Sequence, residues 1–170
     1  SFRTNTQLSG VNGVTVNGTG ITFLERASQI SSSGNGRVTE IWYMVNPPEG
    51  QVDIIANFPN PEKSAVIGAS SYYNVNQTDP LGTAATTTVA SGNESISIPS
   101  GANELVFGVL TDYNNLPSIV SPAAMLYQNK TNANWIVSTG ATTPGSNGNV
   151  NISWDNAGSF WSAIGVFIVS

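Results

Sequence analysis

Gln51-Val52-Asp53-Ile54-Ile55-Ala56-Asn57-Phe58 decides the fold class. Val52, Ile54, Ala56 and Phe58 occupy every second position, with Asp53 alternating between them toward solvent. Successive side chains of a strand point to opposite faces, so this octet reads as a half-buried strand with one apolar face. The same period recurs along the chain. Ile96 and Ile98 alternate within residues 94–99, Leu105, Phe107 and Val109 share a face, and so do Ile41, Tyr43 and Val45.

Two stretches, 104–110 and 161–169, are apolar on both faces. They read as central strands, covered on one side by an opposing sheet and on the other by loops or a neighbour. Turn signals return every 8–12 residues, at Gly18-Thr19-Gly20, Ser33-Gly34-Asn35-Gly36, Pro47-Pro48-Glu49-Gly50, Pro59-Asn60-Pro61, Ser100-Gly101-Ala102 and Pro144-Gly145-Ser146-Asn147-Gly148. No segment carries a sustained helical stripe. The expectation is one all-β domain over residues 1–170, a two-sheet antiparallel β-sandwich of jelly-roll type, with about ten strands and little or no helix.

Composition narrows the chemistry. The chain has 170 residues, enough for one real core. It has no cysteine and no histidine, so disulfides, thiolate chemistry and the commonest general base and metal ligand are all missing. Charged residues make up 9%, against about 25% in an ordinary soluble domain. Asn, Ser, Thr and Gly wet the surface instead, a style shared by extracellular proteins and viral shells. With a net charge of only −5, copies repel one another weakly, which suits assembly. Arg3, Arg26, Arg37, Lys63 and Lys130 are scattered, so nothing points to nucleic acid or to an anionic membrane surface. No apolar run approaches the roughly 18 residues of a spanning helix. The chain starts at Ser1 with no signal peptide, and the expectation is that an upstream segment has been removed.

The ten acidic residues show no spacing that singles out a catalytic pair, and the expectation is that the protein is not an enzyme. Glu25 and Glu40 sit among aromatic strand residues and could flank a groove. Asp112 and Asp155, in loops rich in Asn, are weak calcium candidates; otherwise no cofactor is expected. Adjacent aromatics must face opposite ways in a strand, so one each of Trp42 and Tyr43, and of Tyr72 and Tyr73, is expected outside or under a loop. The candidates for stacking on a sugar or a partner protein are Trp135, Tyr113, Trp42 and Tyr72. Glycosylation sequons stand at Asn17, Asn76, Asn93, Asn129 and Asn151, a number that chance alone produces. The first strand, Phe2-Arg3-Thr4, reads as starting mid-strand, and an unpaired assembly edge is expected there.

Several segments together resemble a known family. Glu40-Ile41-Trp42-Tyr43-Met44-Val45-Asn46-Pro47-Pro48-Glu49-Gly50 is similar to the WY-x-V-NPP-x-G strand-and-turn of a β-sandwich module found in secreted, multidomain bacterial surface proteins. Tyr73-Asn74-Val75-Asn76-Gln77-Thr78-Asp79-Pro80-Leu81-Gly82 is similar to its V-x-Q-T-x-P-L-G loop, and Glu104-Leu105-Val106 to the following strand. Thr143-Pro144-Gly145 through Ser153-Trp154, then Trp161-Ser162-Ala163-Ile164-Gly165-Val166, resembles its last hairpin. The resemblance implies an extracellular setting, no catalytic residues, and adhesion, sugar binding or structural assembly. It also implies one or two further strands ahead of Phe2, absent from this sequence.

The function expected is therefore that of a non-catalytic extracellular module, structural or adhesive. It would assemble with copies of itself or with neighbouring modules, as a filament or appendage subunit, by strand complementation. Two alternatives stay open: a carbohydrate-binding module, and a viral capsid decoration or fibre protein on the virion surface.

Overall fold

The computed structural model describes residues 2–4, 10–30, 36–60, 64–89, 94–113, 115–120, 122–131, 136–155 and 160–170, with the backbone alone at 2–4, 30 and 89. The described residues form fifteen strands and no helix. In chain order these are β1 (Phe2–Thr4), β2 (Gly13–Val16), β3 (Thr19–Gly20), β4 (Thr22–Ile30) and β5 (Gly36–Tyr43). There follow β6 (Ile54–Asn57), β7 (Ser64–Ala65), β8 (Ala85–Val89), β9 (Glu94–Ser100) and β10 (Leu105–Asp112). The last are β11 (Ser118–Ile119), β12 (Ala124–Lys130), β13 (Val137–Pro144), β14 (Gly148–Asp155) and β15 (Trp161–Ile168). Eleven of them run four residues or more, close to the ten expected.

The protein is an all-β antiparallel sandwich, built around one five-stranded sheet in the order β12-β13-β10-β15-β8. β10 and β15 are paired along both edges, β10 with β13 and β15, and β15 with β10 and β8. The two-sheet expectation needs one correction, because both faces of this sheet are covered by other sheets. On one face Val106, Leu110, Trp161 and Ala163 pack with Ile96 and Ile98 of β9 and Ile152 and Trp154 of β14. On the other, Val109, Ile164 and Val166 pack with Ala27 of β4 and Ile41 of β5. That is why β10 and β15 read as apolar on both sides.

Close approach of the layers depends on two glycines. Gly108 and Gly165 stand opposite each other across β10 and β15. They leave a trough into which Ile152 and Ile98 descend. A Cβ on Gly165 would lie 2.2 Å from Ile98 Cδ1, and one on Gly108 would lie 2.9 Å from Ile152 Cδ1. The opposite face is pinned by hydroxyls. Buried Thr39 of β5 lies 2.6 Å from Thr111 Oγ1 and 2.8 Å from Ser162 Oγ, and it donates to the Ser162 carbonyl at 3.0 Å. A buried hydroxyl without a partner costs free energy, so these three fix the register between layers.

A smaller sheet, β3-β2-β6, carries Ile54–Asn57 of the opening octet, while Gln51–Asp53 and Phe58 lie outside the strand. Val14 pairs with Ala56 and Val16 with Ile54, giving one apolar face, while Asp53, Ile55 and Asn57 are exposed. The β2–β3 hairpin turns at Asn17-Gly18, both left-handed at φ 48° and 82°, as a two-residue hairpin favours. β1 lies inside the sheet β4-β5-β1-β7. Phe2 is paired with Val38 on one side and Ala65 on the other, so Phe2, Arg3 and Thr4 do not form the unpaired edge expected of them. Strand order is a matter of long-range pairing, which the local alternation does not encode.

Gly165→Ala should overpack the trough and lower stability by about 1–3 kcal/mol. The measurement is a lower urea midpoint at unchanged slope, partly restored when Ile98→Val is added.

Candidate functional site

Between β7 and β8 the chain runs irregularly and straps itself along the end of β15. Asn76 N–H donates to the Val169 carbonyl at 2.9 Å, Val169 N–H to the Pro80 carbonyl at 2.9 Å, and Gly82 N–H to the Phe167 carbonyl at 3.0 Å. Behind this strap lies a largely apolar cleft of about 710 Å³. Its floor is the central sheet at Phe107, Val109 and Val166, and its roof is the apolar face of the small sheet at Val14, Ile54 and Ala56. The alternation that identifies β6 as a strand thus faces a cleft rather than a closed core. Small-molecule and peptide sites fall in this size range.

The side walls are strands with a gap between them. β5 pairs with β4 over its whole length, Thr22↔Tyr43 through Ile30↔Gly36. On its other edge it pairs with β1 only at Gly36, Arg37 and Val38. Along that edge Glu40, Ile41, Trp42 and Tyr43 meet no strand of the described residues, and all four line the cleft. The opposite wall is β7 and the chain that continues it, which lines the cleft through Ala65, Val66, Ile67, Gly68, Ala69 and Ser70. β1 fills the space between these walls at residues 2–4, so the gap there is one strand wide.

The polar groups of the cleft are few and largely committed. The Glu40 side chain is 3% exposed, and its Oε1 accepts from Arg26 Nε at 2.6 Å. Its Oε2 accepts from the Trp42 indole N–H at 3.0 Å, and the Val11 N–H bridges both oxygens at 3.3 and 3.4 Å. A carboxylate with three donors is a structural anchor rather than a free base. Tyr127, on the floor, covers Gly140 and Gly68, at each of which a Cβ would fall within 2.3 Å of its ring. Burial pushes the Tyr127 hydroxyl pKa up, partly offset by its hydrogen bond to Ser138. Burial raises Tyr72 as well, with Ser70 acting the other way.

Two of the aromatic candidates, Trp42 and Tyr72, come together on this cleft. Trp42 is half-buried, held by Glu40 and set edge-on against Phe23 at 5.2 Å. Tyr72 also lines an adjoining hollow of about 280 Å³, while its neighbour Tyr73 is 88% exposed; both lie in the irregular strap, so the strand alternation expected of the pair is not what separates them. Tyr113 lies elsewhere, half-buried, with the Arg37 guanidinium 4.6 Å from its ring centre. Trp135 lies outside the described residues.

Asp112 is fully buried at the end of β10, where its Oδ1 accepts the Tyr113 N–H at 2.5 Å, and Asp155 is exposed at the end of β14. Among the described residues no three acidic side chains gather into a metal-sized cluster. Of the sequons, Asn17, Asn76, Asn129 and Asn151 are exposed and Asn93 lies outside the described residues. Asn17 Oδ1 accepts the Asp53 N–H at 2.8 Å, and Asn76 Oδ1 accepts those of Thr78 and Asp79 at 2.9 and 3.1 Å. Glu25 accepts the N–H of Arg26, while Glu40 flanks a groove as its sequence position foreshadows. Sequence reasoning missed Tyr127 and the cleft itself; the glycines at 68 and 140 that receive its ring are the only local trace.

No known protein family, curated protein or solved structure matches this chain.

Glu40→Ala should cost about 1–3 kcal/mol, because hydrogen bonds to a charged group are lost and a half-buried indole N–H is left unpaired. Glu40→Gln, which keeps an acceptor, should cost less; chemical denaturation checks the order. A second expectation concerns alkaline pH. With the native Tyr127 pKa above 10.0, the unfolded chain binds fewer protons than the folded one once pH passes 10. Stability should hold below that pH and fall as pH rises toward the raised value, and Tyr127→Phe should flatten the decline in pH-dependent melts.

Proposed function

We propose that this chain is a non-catalytic extracellular assembly module whose incomplete sheet takes up an extended strand from another polypeptide, a copy of itself or an adjoining module. The observation that carries this reading is the coincidence of the open slot beside Glu40–Tyr43 with the apolar cleft. Backbone N–H and C=O groups along a bare strand edge need partners, and apolar walls need covering. One inserted strand answers both needs, as in other cases of β-strand addition.

Composition supports the same reading. With five basic and ten acidic residues in 170, two copies meet little electrostatic resistance. Contacts of this kind are head-to-tail, and unless the rotation closes a ring they build filaments. The cell surface or virion surface is the setting we propose, because hydroxyl and amide groups rather than lysines wet this protein. A sugar platform has less support. Among the described aromatics only Tyr73 and Phe23 are well exposed, and Phe23 is engaged by Trp42 and Arg26.

Amide exchange tests the proposal directly. In the dilute chain the slot-facing amides of Glu40–Tyr43 should exchange fast while those of Gly36–Val38 are protected, and concentration-dependent association seen by light scattering should slow the former. Slow exchange there in a monodisperse monomer would mean that the slot is already filled and would sink the reading.

A further inference from the structure

The register of β1 continues into the slot, and from it the partner strand can be specified. We infer that the strand taken up lies in line with β1, antiparallel to β5, with apolar side chains opposite Ile41 and Tyr43 and polar ones opposite Glu40 and Trp42. This rests on the reading above, that the slot receives an extended strand.

On β5, Thr4 faces Gly36, Arg3 faces Arg37 and Phe2 faces Val38, so successive positions upstream face Thr39, Glu40, Ile41, Trp42 and Tyr43. On the other wall Arg3 faces Ser64 and Phe2 faces Ala65, so the same positions face Val66, Ile67, Gly68, Ala69 and Ser70. Directly opposed residues of neighbouring strands share a face of the sheet. Thr39 points inward, to Thr111 and Ser162, and Ile41 points inward, onto Val109, Ile164 and Val166.

The far wall agrees with this parity. Val66, level with inward Thr39, is 6% exposed, whereas Ile67, level with Glu40, is 53% exposed. The incoming residue between Ile41 and Gly68 therefore points to the cleft floor. Gly68 offers it no side chain, and the Tyr127 ring occupies that place. An apolar side chain there would bury itself between Ile41 and Tyr127. The next inward position, between Tyr43 and Ser70, faces the same apolar interior. The position between these two, opposite Trp42, and the one opposite Glu40 point outward, to the side on which Glu40 holds Arg26 and the Trp42 indole. A charged residue aimed inward would meet no free counter-charge among the described cleft residues, since Glu40 is engaged.

A slip of one residue inverts every side chain, so phase is the testable quantity. A free peptide would slide to its best phase; a covalent link fixes it. The experiment joins four residues directly ahead of Ser1, either valine–threonine–valine–threonine or the same residues as threonine–valine–threonine–valine. Both versions keep the full chain and have identical composition. By the register, the first directs its valines inward opposite Tyr43 and Ile41, and the second directs its threonines there.

The first extension should raise the urea midpoint and slow exchange of the slot-facing amides of Glu40–Tyr43 at least about tenfold, equivalent to roughly 1.4 kcal/mol. The second should do neither. Equal gains from both would overturn the register and its side-chain pattern while leaving strand uptake standing. No gain from either, with those amides unprotected throughout, would overturn the slot as a strand site altogether.

Discussion

Burial of β10 and β15 on both faces and both edges is the constraint on which the other layers depend. A strand so placed has no solvent side, so every side chain must be apolar, small or hydrogen-bonded within the protein. Leu105–Asp112 and Trp161–Ile168 meet that demand in three ways, with the buried Trp161 indole N–H the exception. Aliphatic residues fill the space, glycines at 108 and 165 let the neighbouring layer approach, and Thr111 and Ser162 close their hydroxyls on Thr39. Each solution is local, yet each sets the position of an outer sheet. The glycine trough locates β9 and β14 through Ile98 and Ile152, and the hydroxyl triad locates β5.

From the placement of β5 follows the placement of the cleft. Ile41 is drawn onto Val109, Ile164 and Val166, which brings the end of β5 over the central sheet and leaves its far edge facing β7 and the strap. Glu40 then holds the neighbouring chain in order, binding Arg26 of β4, the indole of Trp42 and the backbone of Val11 at once. The surroundings of the slot are thus well fixed while the slot is open. For the strand uptake we propose, walls ordered in advance would lower the entropic cost of binding.

Much of this architecture was legible in the sequence, and the part that was not has a physical cause. Period-two alternation marks Ile54–Asn57 and Glu94–Ser100 as strands, and two-faced apolar runs mark β10 and β15 as central. These are properties of consecutive residues. The interior position of β1, the covering of the central sheet by two other sheets, and the meeting of Val14, Ile54, Tyr72 and Phe107 around one cleft depend on pairings tens of residues apart. Aromatic side chains were legible as candidates only in part. Trp42 and Tyr72 do reach the cleft, but Tyr113 is covered by Arg37, a residue 76 positions away in the chain that no local pattern connects to it.

The stability of the body and the openness of the slot are compatible because different contacts support them. The first buried cluster draws on β9, β10, β13, β14 and β15 and none of it lines the cleft, while the second, on β4, β5, β10 and β15, meets the cleft at Ile41, Val109 and Val166. An unfilled cleft removes apolar contacts from its lining, but it does not unpair the ladders of the central sheet. Filling it would bury the inner faces of β2, β5 and β6 together and extend the β1 line between two existing walls. If a partner strand fills it, as we propose, the free energy gained belongs to the assembly rather than to the single chain, and completion of the sheet is then coupled to that partner.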